Sequence, residues 1–232
     1  YFQMGEDQWK TADSWPPAGM TERSLELTHV QKGGSSLART HGSGGDESTV
    51  FRSDPANPVP TFGGHVLTQA LKGGPQDQRE NEARADVAVF ETEALSAPLG
   101  IAGLPYARLF VSCDQPDADV SVILTDVYPD GRSMLVSEGI QRLRFREGTD
   151  REVFAKPGET YEIKVELMDT ALTFPPGHRV RVIIAGSNAP KYAVNLNDGG
   201  PMYTDGKGRV AAITLHHDDD HPSAIVLPAL SE

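Results

Sequence analysis

Two segments decide the fold class: Tyr-Ala-Arg-Leu-Phe-Val-Ser at residues 106–112 and Val-Ser-Val-Ile-Leu-Thr-Asp-Val-Tyr at residues 120–128. Both are short, apolar and rich in β-branched or aromatic residues, a composition typical of strands in a buried sheet. Similar segments occur at residues 24–30, 50–52, 87–90, 133–136, 141–146, 160–167, 179–185 and 210–215. Turn sequences such as Pro129-Asp130-Gly131 separate them, and no segment has the length and caps of a three-turn helix. The sequence therefore predicts an all-β fold, a two-sheet jelly-roll sandwich.

Two stretches rich in polar or turn-forming residues interrupt this pattern. Glycine, serine, threonine and charged residues dominate residues 32–48, where we expect a polar loop or a weak hairpin. Residues 54–64 contain three prolines, which cannot donate to a sheet ladder, and end in Gly63-Gly64, which can adopt positive φ. This second stretch is predicted to be a long loop of defined shape, which continues through residues 70–84.

Composition and charge exclude several classes of function. The chain has 232 residues, and its 23 glycines and 17 prolines suit short strands joined by turns. Its formal net charge of −12 argues against a surface that binds phosphates, so neither nucleic acid nor an anionic membrane is an expected partner. The sequence contains no apolar run of membrane-spanning length and no signal-peptide pattern.

The two ends of the chain and its cysteine content bear on domain organisation. Tyr1-Phe2-Gln3 resembles the tail of a protease-cleavable expression tag, with Met4 as an introduced methionine, so residues 1–4 are predicted to be a tag remnant. Residues 5–232 are then expected to form a single β-sandwich domain. The single cysteine, Cys113, cannot form an internal disulfide. The compartment is therefore undecided, with the cytoplasm as the default.

No candidate nucleophile has the surroundings that catalysis needs. An α/β-type serine hydrolase requires Gly-x-Ser-x-Gly at a strand-to-helix turn. The nearest match, Gly42-Ser43-Gly44-Gly45, lacks the first spacing and lies in the predicted polar loop. Cys113 has the acidic neighbours Asp114 and Asp117, which raise a thiol pKa and oppose thiolate formation. We therefore predict no catalytic residue and no cofactor in this chain.

Polar clusters that would suit a metal or a sugar have simpler structural interpretations. His216–His221 contains enough imidazole and carboxylate for zinc, but consecutive side chains of an extended segment point to opposite sides, which favours a solvated acidic turn. Asp117, Asp119 and Asp126 suggest calcium without the loop that calcium needs. We predict no metal site. The asparagines that follow the strand at 179–185 are expected to bond the turning backbone, with sugar binding as the alternative. They are Asn188, Asn195 and Asn197.

Several motifs occur in a fixed order over nearly the whole chain. Residues 51–64 contain Phe-x-x-Asp-Pro-x-x-Pro-Val-Pro-Thr-x-Gly-Gly, and residues 74–80 contain Gly-Pro-x-Asp-Gln-Arg-Glu. Asp-x-Asp precedes the strand that ends at residues 126–132, and two further motifs lie at residues 139–142 and 174–179. In this order, from about Trp15 to Leu230, they resemble the C-terminal domain of the family that includes cocaine esterase, α-amino acid ester hydrolases, glutaryl acylases and X-Pro dipeptidyl-peptidases. Ala189, where an aromatic residue is common, and Cys113, often serine, depart from that pattern.

This resemblance implies a fold and a partner. It implies a sandwich similar to galactose-binding domains, packed against an α/β-hydrolase domain of the same parent chain that carries the Ser-Asp-His triad. A small ester, amide or peptide substrate would bind through that domain, and this chain would be its C-terminal fragment. The segment around the Gly-Gly pair is then expected to line the substrate cleft or the interdomain contact, with Phe62, His65, Val66 and Leu67 as its site residues.

Two other classes of function compete with an accessory domain of a hydrolase. A carbohydrate-binding module is supported by fold analogy alone, and it requires a shallow face with exposed aromatic residues. A metal-dependent enzyme built on residues 216–221 requires bound metal and ranks last. The accessory-domain interpretation requires an apolar surface that a catalytic domain covers.

Overall fold

Strands account for nearly all regular structure in the computed structural model, which describes residues 1–30, 36–68 and 70–230. The strands are β1 (Phe2–Gln3), β2 (Gln8–Trp9), β3 (Met20–Thr28), β4 (Ser36–His41), β5 (Ser48–Ser53), β6 (Val87–Glu91), β7 (Leu99–Gly103), β8 (Tyr106–Cys113), β9 (Asp119–Val127), β10 (Ser133–Arg142), β11 (Tyr161–Glu166), β12 (Thr170–Phe174), β13 (Arg179–Ala185), β14 (Ala211–His216) and β15 (Ala224–Leu230). Helix α1 spans Arg79–Glu82, and a 3₁₀ helix spans Leu143–Phe145. Neither these two helices nor any other described segment forms a helix long and apolar enough to cross a membrane.

The strands form two layers that are joined at one side. The first layer has the order β10-β9-β13-β6-β4, all antiparallel, with Ile123 of β9 opposite Ile183 of β13. The second layer contains β3, β15, β8, β14 and β5, with β11 beside β8 and β7 joining β12 to β15. A parallel pairing of β3 with β4 connects the layers.

The main core lies between the two layers because alternate side chains of each strand point toward the other layer. Val122 and Leu124 of β9 and Val182 of β13 meet Leu109 of β8 and Ile213 of β14 there, all fully buried. This arrangement fits a β-sandwich, so the predicted all-β class is confirmed. The jelly-roll type stays a prediction.

A second apolar cluster covers the outer face of the first layer. Ile123, Ile183 and Val89 point away from the main core and pack with Leu135 and with Val59 from the long loop after β5. Every residue of β9 is buried as a result. Strands buried on both faces have continuous apolar sequences, which explains the composition of residues 120–127.

Most predicted strands are confirmed, with three corrections. Residues 133–136 and 141–146 were predicted as separate strands, but β10 runs continuously from Ser133 to Arg142 through an irregularity between Leu135 and Ser137. The predicted polar loop at 32–48 falls partly on residues 31–35, outside the described residues. Its remainder contains β4, which pairs with β3 and β6 because the fully buried Leu37 anchors it. Strands β1, β2, β7 and β12 were not predicted.

Residues 1–4, predicted to be a tag remnant, pack within the domain. Phe2–Gln3 pairs with Gln8–Trp9, and the backbone N–H of Met4 donates to Ala171 O at 3.1 Å. Gln3 is buried, and its side-chain amide donates to Thr173 Oγ1 at 3.1 Å. The segment therefore extends the edge of the sheet at β12.

Candidate functional site

The predicted site residues lie on a loop that crosses the outer face of the first layer, here called the Gly-Gly loop (residues 60–68). Phe62 is half-buried and lines a cavity of about 290 Å³ together with Lys72, Gln76 and Glu80. Val66 is also half-buried, whereas His65 and Leu67 project into solvent. Leu67 is fully exposed, at 107% of its reference area. The structure therefore brings Phe62 to the cavity and leaves His65 and Leu67 outside it.

The turn of this loop depends on its two glycines. Gly63 and Gly64 both have φ of +81°, a conformation that other residues rarely adopt. Gly64 exchanges two backbone hydrogen bonds with Gly74, at 2.9 and 3.0 Å. The side-chain amide of Gln78 donates to Phe62 O at 2.7 Å. The loop is thus tied to residues 74–78, which in turn pair with the free edge of β10.

A buried polar network beneath the loop contains residues that the sequence did not single out. The Glu138 carboxylate accepts hydrogen bonds from Lys191 Nζ at 2.5 Å and from Asn188 Nδ2 at 2.7 Å. Asn188 Oδ1 accepts from Thr61 Oγ1 at 2.7 Å. The signal in the sequence was a lone glutamate in a strand, Ser133–Arg142, that is otherwise largely small or apolar up to Ile140.

A second buried network occupies Asp117 and Asp119, the residues considered for calcium. Arg144 Nε donates to Asp117 at 2.7 Å, and Arg142 binds Asp119 through two nitrogens at 2.7 and 2.8 Å. Asn195 Nδ2 donates to both carboxylates. Burial raises the pKa of Asp119, which the hydrogen bond from Arg142 opposes. Protein cations therefore occupy the positions that a metal ion would take.

Asp126 and the turn after β9 have separate roles. Asp126 Oδ1 lies 2.8 Å from His178 Nδ1, away from the Asp117 network. In the turn, Arg132 Nε donates to Asp130 at 2.8 Å. Gly131 has a φ of +87°, as its turn position requires.

The histidine-rich run at 216–221 lies beside an open cavity of about 930 Å³, yet its three imidazoles have different partners. His216 Nε2 lies 2.9 Å from Ser112 Oγ, His217 Nε2 lies 2.9 Å from Thr49 Oγ1, and His221 Nδ1 lies 2.9 Å from Asp218. Burial lowers the pKa of His217 to about 4. Within the described part of the chain, no three ligating side chains are gathered in a way that would hold a metal ion.

The candidate nucleophiles have structural surroundings. Cys113 is buried, and burial raises the pKa of its thiol to about 11, so the thiolate is scarce at neutral pH. Ser112 Oγ lies 2.9 Å from His216 Nε2, and Thr160 Oγ1 lies 3.4 Å from the same nitrogen, so two hydroxyls share one ring atom in place of the Ser-His-carboxylate order of a triad. Neither residue is equipped for acyl transfer.

The asparagines considered for sugar binding are engaged within the protein. Both polar atoms of the Asn188 amide bond to Glu138 and Thr61. Asn197 Nδ2 donates to Arg209 O at 2.8 Å and to Ser53 O at 3.1 Å. These amides stabilise the irregular segment after β13 and present no polar face to a sugar.

Exposed apolar side chains of the N-terminal segment and of the loops at residues 104 and 168 are here called the aromatic surface (Phe2, Trp9, Trp15, Leu104 and Met168). All five side chains are substantially exposed, Trp9 to 81%. Trp15 Nε1 donates to Asp169 at 2.6 Å, and the N–H of the neighbouring Met168 donates to Ser137 Oγ at 2.9 Å. Ser137 directly precedes Glu138, so β10 contacts both the segment that carries Met168 and, through the next residue, the Gly-Gly loop.

Comparison with protein families and with known proteins finds relatives that match nearly the whole chain. The family model described as the X-Pro dipeptidyl-peptidase C-terminal non-catalytic domain matches residues 1–226. The cocaine esterase of Rhodococcus sp. (strain MB1 Bresler) is 37% identical over 240 residues, which cover 99% of this chain and 41% of the esterase.

Solved structures also match nearly the whole chain. An aminopeptidase from the marine sediment archaeon Thaumarchaeota archaeon matches 99% of this chain and 40% of its own, with a TM-score of 0.83 and 30% identity. A selenomethionine-labelled α-amino acid ester hydrolase matches 97% of this chain and 40% of its own, with a TM-score of 0.77 and 28% identity. The chain thus spans about two fifths of the length of these relatives. None of the three is named for carbohydrate binding.

Proposed function

This chain belongs to the family of X-Pro dipeptidyl-peptidase C-terminal non-catalytic domains, and from that membership we propose that it packs against an α/β-hydrolase domain of the same polypeptide. In this proposal the sandwich stabilises the catalytic domain and helps to shape its substrate cleft. The reaction itself belongs to the partner domain, where a serine nucleophile, a histidine and an acid would perform acyl transfer.

The observation that supports the proposal best is the exposure of apolar side chains on a loop that is otherwise firmly tied. Leu67 is fully exposed, although the turn beside it is fixed by backbone bonds to Gly74 and by the buried Glu138 network. Holding an exposed leucine at a defined place has no benefit for an isolated domain. Against a second domain, its burial is worth roughly 1.5 to 3 kcal/mol.

The aromatic surface supports the same proposal. Trp9, Trp15 and Phe2 are large side chains that soluble monomers rarely group at their surface without a binding role. We propose that the catalytic domain covers the aromatic surface and leaves Phe62, Val66 and Leu67 at the edge of the cleft, with His65 beside them.

The names of the relatives support a chemical class of substrate for the whole protein. Their names describe an esterase, an ester hydrolase and an aminopeptidase, which cleave ester or peptide bonds. We propose a small ester, amide or peptide as the substrate of the whole protein.

We also propose that the domain includes residues 1–4. The buried amide of Gln3, the strand pairing of Phe2–Gln3 and a family match that includes residue 1 support this extension. The single β-sandwich domain would then extend beyond the predicted 5–232 to the first residue.

The test compares hydrolysis by this chain with hydrolysis by the longer natural polypeptide that contains it. Both are assayed with p-nitrophenyl acetate and with an X-Pro-p-nitroanilide, beside a blank. We expect turnover by the longer polypeptide alone, and the preferred substrate identifies an esterase or a peptidase. Turnover by this chain above the blank, abolished by a serine-directed or metal-directed inhibitor, would show that the proposal is wrong.

A further inference from the structure

The buried carboxylate of Glu138 lies directly beneath the Gly-Gly loop. The Glu138 side chain is 1% exposed and belongs to β10, part of the rigid first layer. A Cβ atom built on Gly64 would lie 1.7 Å from Glu138 Oε1, far inside contact distance. The loop can therefore rest on the carboxylate only because residue 64 has no side chain.

Lys191 and Asn188 hold this carboxylate from the other side. Lys191 Nζ lies 2.5 Å from Oε1, and Asn188 Nδ2 lies 2.7 Å from Oε2. The network then returns to the start of the loop, because Thr61 Oγ1 donates to Asn188 Oδ1 and accepts from the Lys191 N–H at 3.1 Å. In addition, the Thr61 N–H donates to Ala189 O at 2.7 Å. The loop, the segment 188–191 and β10 thus form one closed network around Glu138.

A buried ion pair contributes little net stability, because the cost of removing both charges from water offsets their attraction. Such a pair can instead fix the positions of the segments that it joins. Leu67 makes no packing contact that would hold the loop, and the Gly63-Gly64 turn lacks side chains. We propose that Glu138 is a positioning residue of the substrate cleft: with Lys191 and Asn188 it fixes the Gly63-Gly64 turn and so the places at which Phe62, Val66 and Leu67 meet substrate. This inference rests on the cleft role proposed above.

Hydrogen exchange of this chain tests the positioning step without any enzyme activity. Glu138→Gln keeps the size of the side chain and removes the charge that pairs with Lys191. We expect the amides of Gly64, Val66 and Gly74 to exchange at least about tenfold faster, while amides of β9 are unchanged. Asp119→Asn is the matched control, since it neutralises a buried ion pair that does not touch the loop. Lys191→Met is the second variant if Glu138→Gln does not fold, and it should accelerate the same amides.

Kinetics of the longer polypeptide test the purpose of that positioning. For Glu138→Gln we expect KM for p-nitrophenyl benzoate to rise about three- to tenfold with kcat within twofold, because the apolar wall is displaced and the triad is not. The KM for p-nitrophenyl acetate, whose acyl group is small, should stay within twofold. Asp119→Asn should leave both KM values unchanged.

The outcomes separate this inference from the proposed function. Unchanged exchange at Gly64, Val66 and Gly74 in Glu138→Gln, or equal acceleration in Asp119→Asn, overturns the positioning role. A KM that responds to Leu67→Ser but not to Glu138→Gln overturns it as well and leaves the cleft role intact. A KM that responds to neither variant refutes the cleft role and, with it, the purpose assigned to Glu138.

Discussion

The two faces of β9 are both buried, but by different means. On the inner face, Val122 and Leu124 pack against the second layer of strands, which apolar side chains alone can hold in place. On the outer face, Ile123 is covered by Val59 and by a loop that has few apolar residues of its own. Bonds to Asn188, Ala189 and Gly74 hold that loop against the sheet, and Asn188 in turn bonds to Glu138.

The two faces of β9 therefore suit different roles. A face covered by a second sheet is held by apolar packing and serves stability. A face covered by a polar-anchored loop can present side chains such as Leu67 to a partner without giving up the packing beneath. The outer face therefore combines a small core with the candidate site.

Truncation on the two faces of β9 gives the largest expected effect. Leu124→Ala should lower the free energy of unfolding by about 4 kcal/mol, because the two sheets cannot close on the cavity. Ile123→Ala should lower the free energy of unfolding by only about 2 kcal/mol, since the loop above Ile123 can relax into the space. Urea denaturation of both variants measures the difference. Equal losses would show that the outer loop is as rigid as the second sheet.

Gly64→Ala tests how firmly the Gly-Gly loop is held on the outer face. The new methyl group meets the Glu138 carboxylate, and φ of +81° adds backbone strain, so we expect a loss of about 3 kcal/mol. Gly131→Ala is the control, because Gly131 has φ of +87° and nothing within 4 Å of its Cβ position, and it should lose about 1 kcal/mol. Equal losses in the two variants would show that Glu138 yields to the methyl group without cost.

The inner face was the part that the sequence predicted well. Strand β13 was predicted with its observed bounds, Arg179–Ala185, because four of its seven residues are valine or isoleucine. The outer face escaped prediction because its anchors are far apart in sequence: Thr61, Glu138 and Lys191 become neighbours only through the pairing of whole strands. Periodicity reports which residues are apolar, and it carries no information on which distant polar residue completes a hydrogen bond.

The candidate site, too, could be predicted from the sequence only in part. Gly63-Gly64 was singled out because only glycine suits such a turn, and the turn is confirmed. The cavity beside Phe62 was not predictable, since Lys72 and Gln76 reach it through the fold of the loop. The exposure of Trp9 was hidden because residues 1–4 were interpreted as a tag remnant, which left its pairing partner Phe2 out of the fold.

His217 tests how the stability of the inner core depends on pH. Its ring packs against Phe90 with centroids 5.7 Å apart, and burial lowers its pKa from the usual 6.5 to about 4. The unfolded chain therefore takes up a proton first as pH falls, so this contribution to stability is complete above pH 6.5 and is lost as pH falls toward 4. We expect roughly 2 kcal/mol of pH-dependent loss that His217→Gln abolishes in urea denaturation at pH 7, 5.5 and 4. Parallel pH profiles for the two proteins would contradict this assignment.

Gln3→Ala tests whether the edge of the second layer is also held by a polar anchor. The Gln3 side-chain amide donates to Thr173 Oγ1 and to Ile101 O, both buried, so we expect a loss of about 1 kcal/mol by thermal denaturation. Gln8→Ala, on the exposed strand opposite, is the control and should change stability by less than about 0.5 kcal/mol. If deletion of residues 1–4 left stability unchanged, the segment would be an appendage and the tag interpretation would stand.

Leu67→Ser has the smallest expected effect on stability and separates the two faces most sharply. Because Leu67 is fully exposed, its loss should change the free energy of unfolding of this chain by less than about 0.5 kcal/mol. In the longer polypeptide the same change should raise KM for p-nitrophenyl benzoate about three- to tenfold, since the leucine would be buried against substrate or the partner domain. Leu230→Ser, at another exposed leucine, should alter neither quantity. A Leu67 variant that lost stability in this chain would show that the leucine packs within the domain, and the outer face would then serve stability as the inner face does.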